Sequence, residues 1–134
     1  MKVIEVAAGL ICHEGRYLIA LRKPGVHLAG YWEFPGGKRE TGESLEECLR
    51  RELYEELRIK IDLPVPYQIV RHDYADKTVE LHFFRCAIEQ GRATPVDCAE
   101  IRWVFPEDLA QFKFPPADEV IIKALQRDAV RFSK

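Results

Sequence analysis

Residues 44 to 57 are the segment that most constrains the fold of this chain. Ser44 is a favourable N-cap, Glu47 completes a capping box, and neither proline nor glycine interrupts the segment before Leu57. These features predict a helix. Leucines repeat along it at four-residue spacing, which gives the helix an apolar stripe that faces the core. They are Leu45, Leu49, Leu53 and Leu57.

Three glutamates border this stripe. Glu52, Glu55 and Glu56 occupy positions i, i+3 and i+4 and therefore spread over only about 100° of the helix. Carboxylates this close repel one another, more strongly where they are partly desolvated. Arg51 lies about 100° around the axis from Glu52 and cannot neutralise all three. One interpretation is a divalent metal site, since Mg²⁺ takes carboxylate oxygens and shares substrate phosphates. The other is a solvated surface helix.

The residues before the helix favour the metal site. An aromatic and apolar run at 31–34 leads into a Pro-Gly-Gly turn at 35–37, and Glu43 follows just ahead of the helix. Paired glycines let the backbone approach a ligand closely, so the carbonyl of Gly36 is a further candidate metal ligand. Gly36 and Gly37 also fit a plain turn.

The composition predicts one small domain, residues 1–134, because 134 residues with 47% hydrophobic content suffice for one core. A net charge of −2 provides no broad basic surface for duplex nucleic acid. Glu5 interrupts the apolar start, which argues against a signal peptide, and no run has the length of a membrane span. The cysteines lack zinc spacing, so free thiols and a cytoplasmic location are predicted. They are Cys12, Cys48, Cys86 and Cys98.

Alternating apolar patterns predict several strands, with a helical turn at 106–109 and a last helix over 118–131. Val120, Ile121, Ala124 and Leu125 are expected to face inward from that helix. The order of elements predicts an α+β domain in which a mixed sheet lies between helices. The predicted strands are 3–12, 16–22, 67–74, 78–88 and 101–105.

The region from Gly37 to Ile59 resembles the Nudix box. Arg58 is its one departure, because the family usually has a glycine there, which suits a left-handed helix end. The helix is therefore expected to end with some strain or in a different way. The resemblance extends over nearly the whole chain and is strongest to the MutT branch, through WEFPGGK at 32–38 and FPPAD at 114–118. The residues that match the box are Gly37, Glu43, Arg51, Glu52, Leu53, Glu55, Glu56 and Ile59.

The resemblance implies the Nudix fold, an α/β/α sandwich, and a set of metal ligands. It implies that Arg51 and Glu43 orient the carboxylates and that Glu52 or Asp97 accepts a proton from the attacking water. Asp97 matches the position of a loop acid in relatives, with Glu100 as the nearby alternative. Mg²⁺ is the expected ion, and Mn²⁺ is a possible substitute. The implied ligands are Glu52, Glu55, Glu56, Asp97 and the carbonyl of Gly36.

The resemblance also implies a nucleobase pocket. Phe34 is alternatively a core residue, His27 a surface-loop residue and Asp118 an N-cap. MutT has asparagine at the position of Asp118, whereas CTP pyrophosphohydrolases resemble this chain there, so the preferred base is open. His13, His72 and His82 lack metal-like spacing and are expected to be structural. The implied pocket residues are Arg22, His27, Phe34, Asp76, Lys77 and Asp118.

The expected activity is hydrolysis of a nucleoside triphosphate at the β-phosphorus, which releases the monophosphate and pyrophosphate. The first hypothesis is 8-oxo-dGTP as substrate, with a role in nucleotide-pool sanitation that protects DNA replication and repair. The second is CTP, a modified pyrimidine triphosphate or an RNA 5′-triphosphate end. A non-catalytic nucleotide-sensing domain is the third. No duplex nucleic acid or membrane partner is expected, and the protein is expected to be a monomer or homodimer.

Overall fold

Strand β1 (Lys2–His13) is the centre of a mixed sheet. The computed structural model describes the backbone of residues 2–132 and the side chains of residues 2–129; Met1 and residues 133–134 of the predicted domain lie outside this part. Strand β1 pairs in parallel with β7 from Lys2↔Lys77 to Ile11↔Cys86. The other strands of the sheet are β2 (Arg16–Leu21), β3 (Trp32–Glu33), β4 (Gly36–Lys38), β6 (Val65–Asp73), β7 (Lys77–Cys86) and β9 (Glu100–Val104).

The remaining pairings within this sheet are antiparallel. Strand β6 pairs with β7, β2 continues β1 through a tight turn, and β2 carries β3 and β9 on its two sides. Strand β4 pairs with the middle of β1, where Ala7 faces Gly37 and Ala8 faces Gly36. This pairing places the Pro-Gly-Gly turn beside the helix that follows it.

Helices α1 (Leu45–Leu57) and α2 (Glu119–Phe132) cover opposite faces of the sheet. Leu49, Leu53 and Leu57 are fully buried, and they pack with Ala7 and Ile11 in one core cluster. The opposite cluster contains the α2 residues Ile121 and Leu125, and Ala124 is also buried. The predicted α/β/α sandwich is confirmed. Short 3₁₀ segments, Pro106–Gln111 and Pro116–Asp118, precede α2.

Two details of the prediction were wrong. Val120 is 47% exposed because α2 begins at Glu119, and its apolar face starts with Ile121. The predicted strand at 78–88 divides: Ala87 exchanges hydrogen bonds with Asp62, so the chain leaves the main sheet. The segment after it forms β8 (Ile88–Gln90), which pairs with β5 (Lys60–Ile61).

The four cysteines are free thiols, as predicted. Within residues 2–132, neither helix is long and apolar enough to cross a bilayer.

Candidate active site

Helix α1 is held firmly at both ends, which fixes the direction of its glutamates. The Ser44 hydroxyl accepts a hydrogen bond from the Glu47 backbone N–H at 3.0 Å, and the Glu47 carboxylate accepts one from the Ser44 N–H at 2.8 Å. The predicted capping box is confirmed. At the other end, Arg58 adopts the left-handed conformation with φ 58°, and its N–H donates to the Tyr54 carbonyl. The helix therefore ends as a glycine would end it, but with a side chain present.

Strand β4 brings backbone against the carboxylates of α1. A Cβ atom on Gly36 would collide with the carbonyl oxygen of Ala7, so only glycine allows β4 to lie this close to β1. A Cβ atom on Gly37 would collide with the carboxylate of Glu52. Glu52 thus occupies space that any other residue at position 37 would fill.

Arg51 organises the outer part of the acidic cluster. Its guanidinium donates to both oxygens of Glu43, at 3.0 and 2.7 Å, and also to Glu52 at 2.8 Å and Glu55 at 3.2 Å. The hydrogen bonds from Arg51 lower the pKa of Glu43 to about 2, and the same contact raises the pKa of Arg51. Arg51 therefore neutralises the outer acids Glu43, Glu52 and Glu55.

Glu56 is the inner carboxylate of the cluster. Its Oε2 atom is buried and has no hydrogen-bond partner among the described residues. Burial, followed by the charges of Glu33, Glu52 and Asp97, raises the pKa of Glu56 to about 9. Burial also raises the pKa of Glu52. A hard divalent ion with oxygen ligands fits this set of donors, in which a buried acceptor without a hydrogen-bond partner lies among other acids.

Glu33 belongs to this cluster although the sequence analysis did not single it out. It accepts a hydrogen bond from Arg22 at 2.6 Å, and burial raises its pKa. Its charge raises the pKa of both Glu56 and Asp118, so Glu33 lies near a member of the acidic cluster and near a residue of the expected nucleobase pocket. The available signal was a lone carboxylate within the aromatic run at 31–34.

The loop before β9 adds Asp97 to the cluster. Its backbone N–H donates to the Glu56 carbonyl at 3.3 Å, and its side chain contacts Lys23 at 2.5 Å. Glu100 instead accepts a hydrogen bond from Arg102 at 2.6 Å. Of the two candidate loop acids, the structure therefore brings Asp97 to Glu56.

The expected nucleobase residues fall into two groups, and the first contains Arg22, His27, Phe34 and Asp118. Phe34 is buried and stacks on Phe114 at 5.2 Å, so it belongs to the core next to the site. Asp118 is 8% exposed, and burial, followed by the charge of Glu33, raises its pKa to about 7. Arg22 joins Glu33 to the exposed loop at His27, whose carbonyl accepts a hydrogen bond from Arg22 at 2.6 Å.

Asp76 and Lys77 form the second group, which lies apart from the acidic cluster. Lys77 pairs with Lys2 at the start of β1, whereas the glycines of β4 pair with Ala7 and Ala8. Six strand positions correspond to roughly 20 Å. The structure therefore does not bring these two residues into contact with the acidic cluster.

His82 lies near two carboxylates on neighbouring strands, although its spacing in the sequence does not indicate a ligand group. Glu5 and Glu80 are register partners in β1 and β7, and His82 lies 3.4 Å from Glu80 and 3.7 Å from Glu5. Ligand atoms of these three side chains lie within 4.8 Å of one another. Arg39 and Arg71 already neutralise the two carboxylates, at 2.8 and 3.0 Å. We interpret this group as an ion-pair network on the sheet surface.

Comparison with known proteins agrees with this geometry. The NUDIX domain family model matches residues 6–124. The chain is 32% identical over 127 residues to the 8-oxo-dGTP diphosphatase of Buchnera aphidicola, with 95% of this chain and 96% of that protein covered. It is 33% identical over 124 residues to the CTP pyrophosphohydrolase of Escherichia coli, with 92% of each covered. The solution structure of the E. coli ORF135 protein superposes with a TM-score of 0.84 at 32% identity, covering 100% of this chain and 94% of that one.

Proposed function

This chain belongs to the Nudix family as a MutT-type nucleotide pyrophosphohydrolase, and we propose that its substrate is 8-oxo-dGTP. The products are 8-oxo-dGMP and pyrophosphate, so the enzyme removes an oxidised precursor from the nucleotide pool before DNA replication. The names of several relatives at 30–42% identity support this substrate. The net charge of −2 supports a free nucleotide, and not duplex nucleic acid, as the partner in the cytoplasm.

The orphaned oxygen of Glu56 is the observation that carries the proposal. Nudix hydrolases generally depend on a divalent metal, and we propose that Glu52, Glu55, Glu56, Asp97 and the Gly36 carbonyl hold Mg²⁺, with Mn²⁺ as a substitute. When bound, the ion neutralises charge on the polyphosphate. The burial of Glu56 supports this role, because a carboxylate that stays ionised inside the protein needs a cation close by.

Glu52 is the proposed general base. Arg51 donates to it at 2.8 Å and Gly37 leaves room for it, so its carboxylate is fixed in place. In the metal-free protein, burial raises the pKa of the Glu52 carboxyl group. Arg51 and Glu43 keep this carboxylate oriented. As the water attacks the β-phosphorus in line, the nucleoside monophosphate leaves with the bridging oxygen, and the oxygen of the water ends in the pyrophosphate.

A second candidate substrate is CTP or a modified pyrimidine triphosphate. Asp118 favours it, since MutT has asparagine at the matching position and the CTP pyrophosphohydrolases resemble this chain there. A carboxyl group accepts hydrogen bonds when ionised and donates one when protonated, whereas an amide does both at any pH. With a pKa of about 7, Asp118 is available in either form near neutral pH.

A substrate panel tests the proposal. The protein is incubated with Mg²⁺ and, separately, 8-oxo-dGTP, dGTP, CTP, 5-methyl-dCTP and a 5′-triphosphorylated RNA, and the products are identified by chromatography. We expect monophosphate and pyrophosphate, with the highest kcat/KM for 8-oxo-dGTP. Orthophosphate release would reject the proposed bond. A higher kcat/KM for CTP would establish the second substrate, and no turnover of any compound would reject both substrates.

Substitution of Glu52 tests the assignment of the base. We expect Glu52→Gln to lower kcat by at least about a hundredfold, because general-base catalysis contributes roughly 10²–10⁴. Circular dichroism and the melting temperature should stay close to those of the wild type. Glu46→Gln is the matched control on the same helix, since Glu46 forms an ion pair with Arg50 at the surface, at 3.4 Å. A kcat within tenfold of the wild type for Glu52→Gln would contradict the role.

A further inference from the structure

Lys23 connects two loops that lie at the mouth of the acidic cluster. Its ammonium nitrogen lies 2.5 Å from Oδ1 of Asp97, and the two residues are 74 positions apart in the chain. Lys23 lies in the loop between β2 and β3, and Asp97 lies in the loop between β8 and β9. The contact therefore joins these two loops.

Different basic side chains contact different carboxylates of the acidic cluster. Arg51 contacts Glu43, Glu52 and Glu55, and Arg22 contacts Glu33. Lys23 contacts Asp97. Lys23 is thus the counter-ion of the loop acid, which is also the residue proposed to bind the metal.

The Lys23–Asp97 ion pair is weak enough for each side chain to exchange it for another contact. Both side chains are half exposed, at 50% and 57%, and exposed ion pairs are weak. A divalent ion next to Asp97 would repel the ammonium group. Lysine is a compact charge on a flexible stem with three N–H donors, so it can leave a carboxylate and bind a phosphate oxygen without movement of the backbone.

We propose that Lys23 neutralises Asp97 in the metal-free protein and binds the polyphosphate of the substrate once a divalent ion has taken its place. This inference rests on the proposed function, because it assumes a metal and a polyphosphate in this site. Lys23 then weakens the binding of the metal, because it competes for Asp97, and strengthens the binding of the polyphosphate, because it attracts the phosphates.

Two calorimetric titrations test this inference without turnover. In the first, Mg²⁺ is titrated into nucleotide-free wild type, Lys23→Met and Lys23→Arg. We expect Lys23→Met to bind Mg²⁺ about two- to fivefold more tightly, the range given by an exposed ion pair. In the second, inorganic tripolyphosphate is titrated into Mg²⁺-saturated protein. There Lys23→Met should bind roughly tenfold more weakly, because it lacks a charge-assisted hydrogen bond. Lys23→Arg should resemble the wild type in both.

Lys123→Met is the matched control, since Lys123 forms a similarly exposed ion pair with Glu119 on α2, at 3.1 Å. It should leave both affinities unchanged. Equal Mg²⁺ affinity of wild type and Lys23→Met would overturn the competition, and equal tripolyphosphate affinity would overturn the phosphate contact. Either result leaves the proposed function intact if the wild type still hydrolyses nucleotides. Absence of Mg²⁺ binding to the wild type, together with no turnover, would instead reject the proposed function.

Discussion

Burial gives Glu56 a charge state that depends on the contents of the acidic cluster. Its pKa is about 9 in the folded protein and about 4.5 ordinarily, so between these values the folded chain holds a proton that the unfolded chain releases. The free energy of unfolding of the metal-free protein should therefore fall as pH rises from about 5 to 9. Burial raises the pKa of Glu33 and Asp118 and adds to the same trend.

Thermal unfolding in EDTA across this pH range measures the effect. Glu56→Gln should reduce the slope of melting temperature against pH, because its amide cannot ionise. The lowered pKa of Glu43, about 2, acts only at acidic pH and does not interfere in this window. Identical slopes for wild type and Glu56→Gln would show that Glu56 does not titrate as its burial indicates.

At the scale of elements, the two glycines of β4 have different functions. We expect Gly36→Ala to destabilise the fold strongly, because its methyl group meets the backbone carbonyl of Ala7, which cannot move without loss of the β1–β4 pairing. The three atoms nearest to a Cβ at Gly37 all belong to the carboxylate at the end of the flexible Glu52 side chain. Gly37→Ala should leave the melting temperature nearly unchanged and lower kcat at least tenfold, because Glu52 is displaced. Melting curves and steady-state kinetics distinguish the two; normal kcat in Gly37→Ala would contradict this account.

The end of α1 contains removable strain. Arg58 has φ 58°, a conformation that costs a residue with a Cβ atom about 1 kcal/mol relative to glycine. Arg58→Gly should therefore raise the free energy of unfolding by up to about 1 kcal/mol. The gain is reduced by loss of the Arg58 contact with the Tyr54 ring, at 5.3 Å. Urea unfolding measures the difference, and Arg58→Ala, which keeps the strain, is the control. Equal stability of the glycine and alanine variants would rule out relief of strain.

Elements whose signals are local were predictable from the sequence. The capping box, leucine stripe and terminal helix depend on residues within a few positions of one another, and so do the alternating patterns of the strands predicted at 3–12, 16–22 and 67–74. The division of the strand after Cys86 was not predictable, because it depends on Asp62 from a distant loop. Glu33 and the contact between Lys23 and Asp97 were missed for the same reason, because their roles depend on contacts between separate elements.

At the scale of the whole molecule, the proposed metal site would link metal binding to stability. Its proposed ligands come from three separate elements, α1, β4 and the loop before β9, so we expect the unfolded chain to have no comparable site for a divalent ion. A ligand that binds only the folded state stabilises it by about 2.7 kcal/mol at a hundredfold excess over its dissociation constant.

We therefore expect Mg²⁺ at that excess to raise the melting temperature by roughly 10 °C for a domain of this size. At one fixed Mg²⁺ concentration the effect should be larger at pH 8 than at pH 5, because the ion binds ionised Glu56 and displacing the proton costs more as the pH falls further below the Glu56 pKa of about 9. Differential scanning fluorimetry in EDTA, in Mg²⁺ and in NaCl of equal ionic strength measures it. Glu56→Gln should lose most of the gain, whereas Glu46→Gln should keep it. An equal rise in NaCl would show general charge screening in place of a specific site, since screening relieves the same repulsion among the glutamates without coordination.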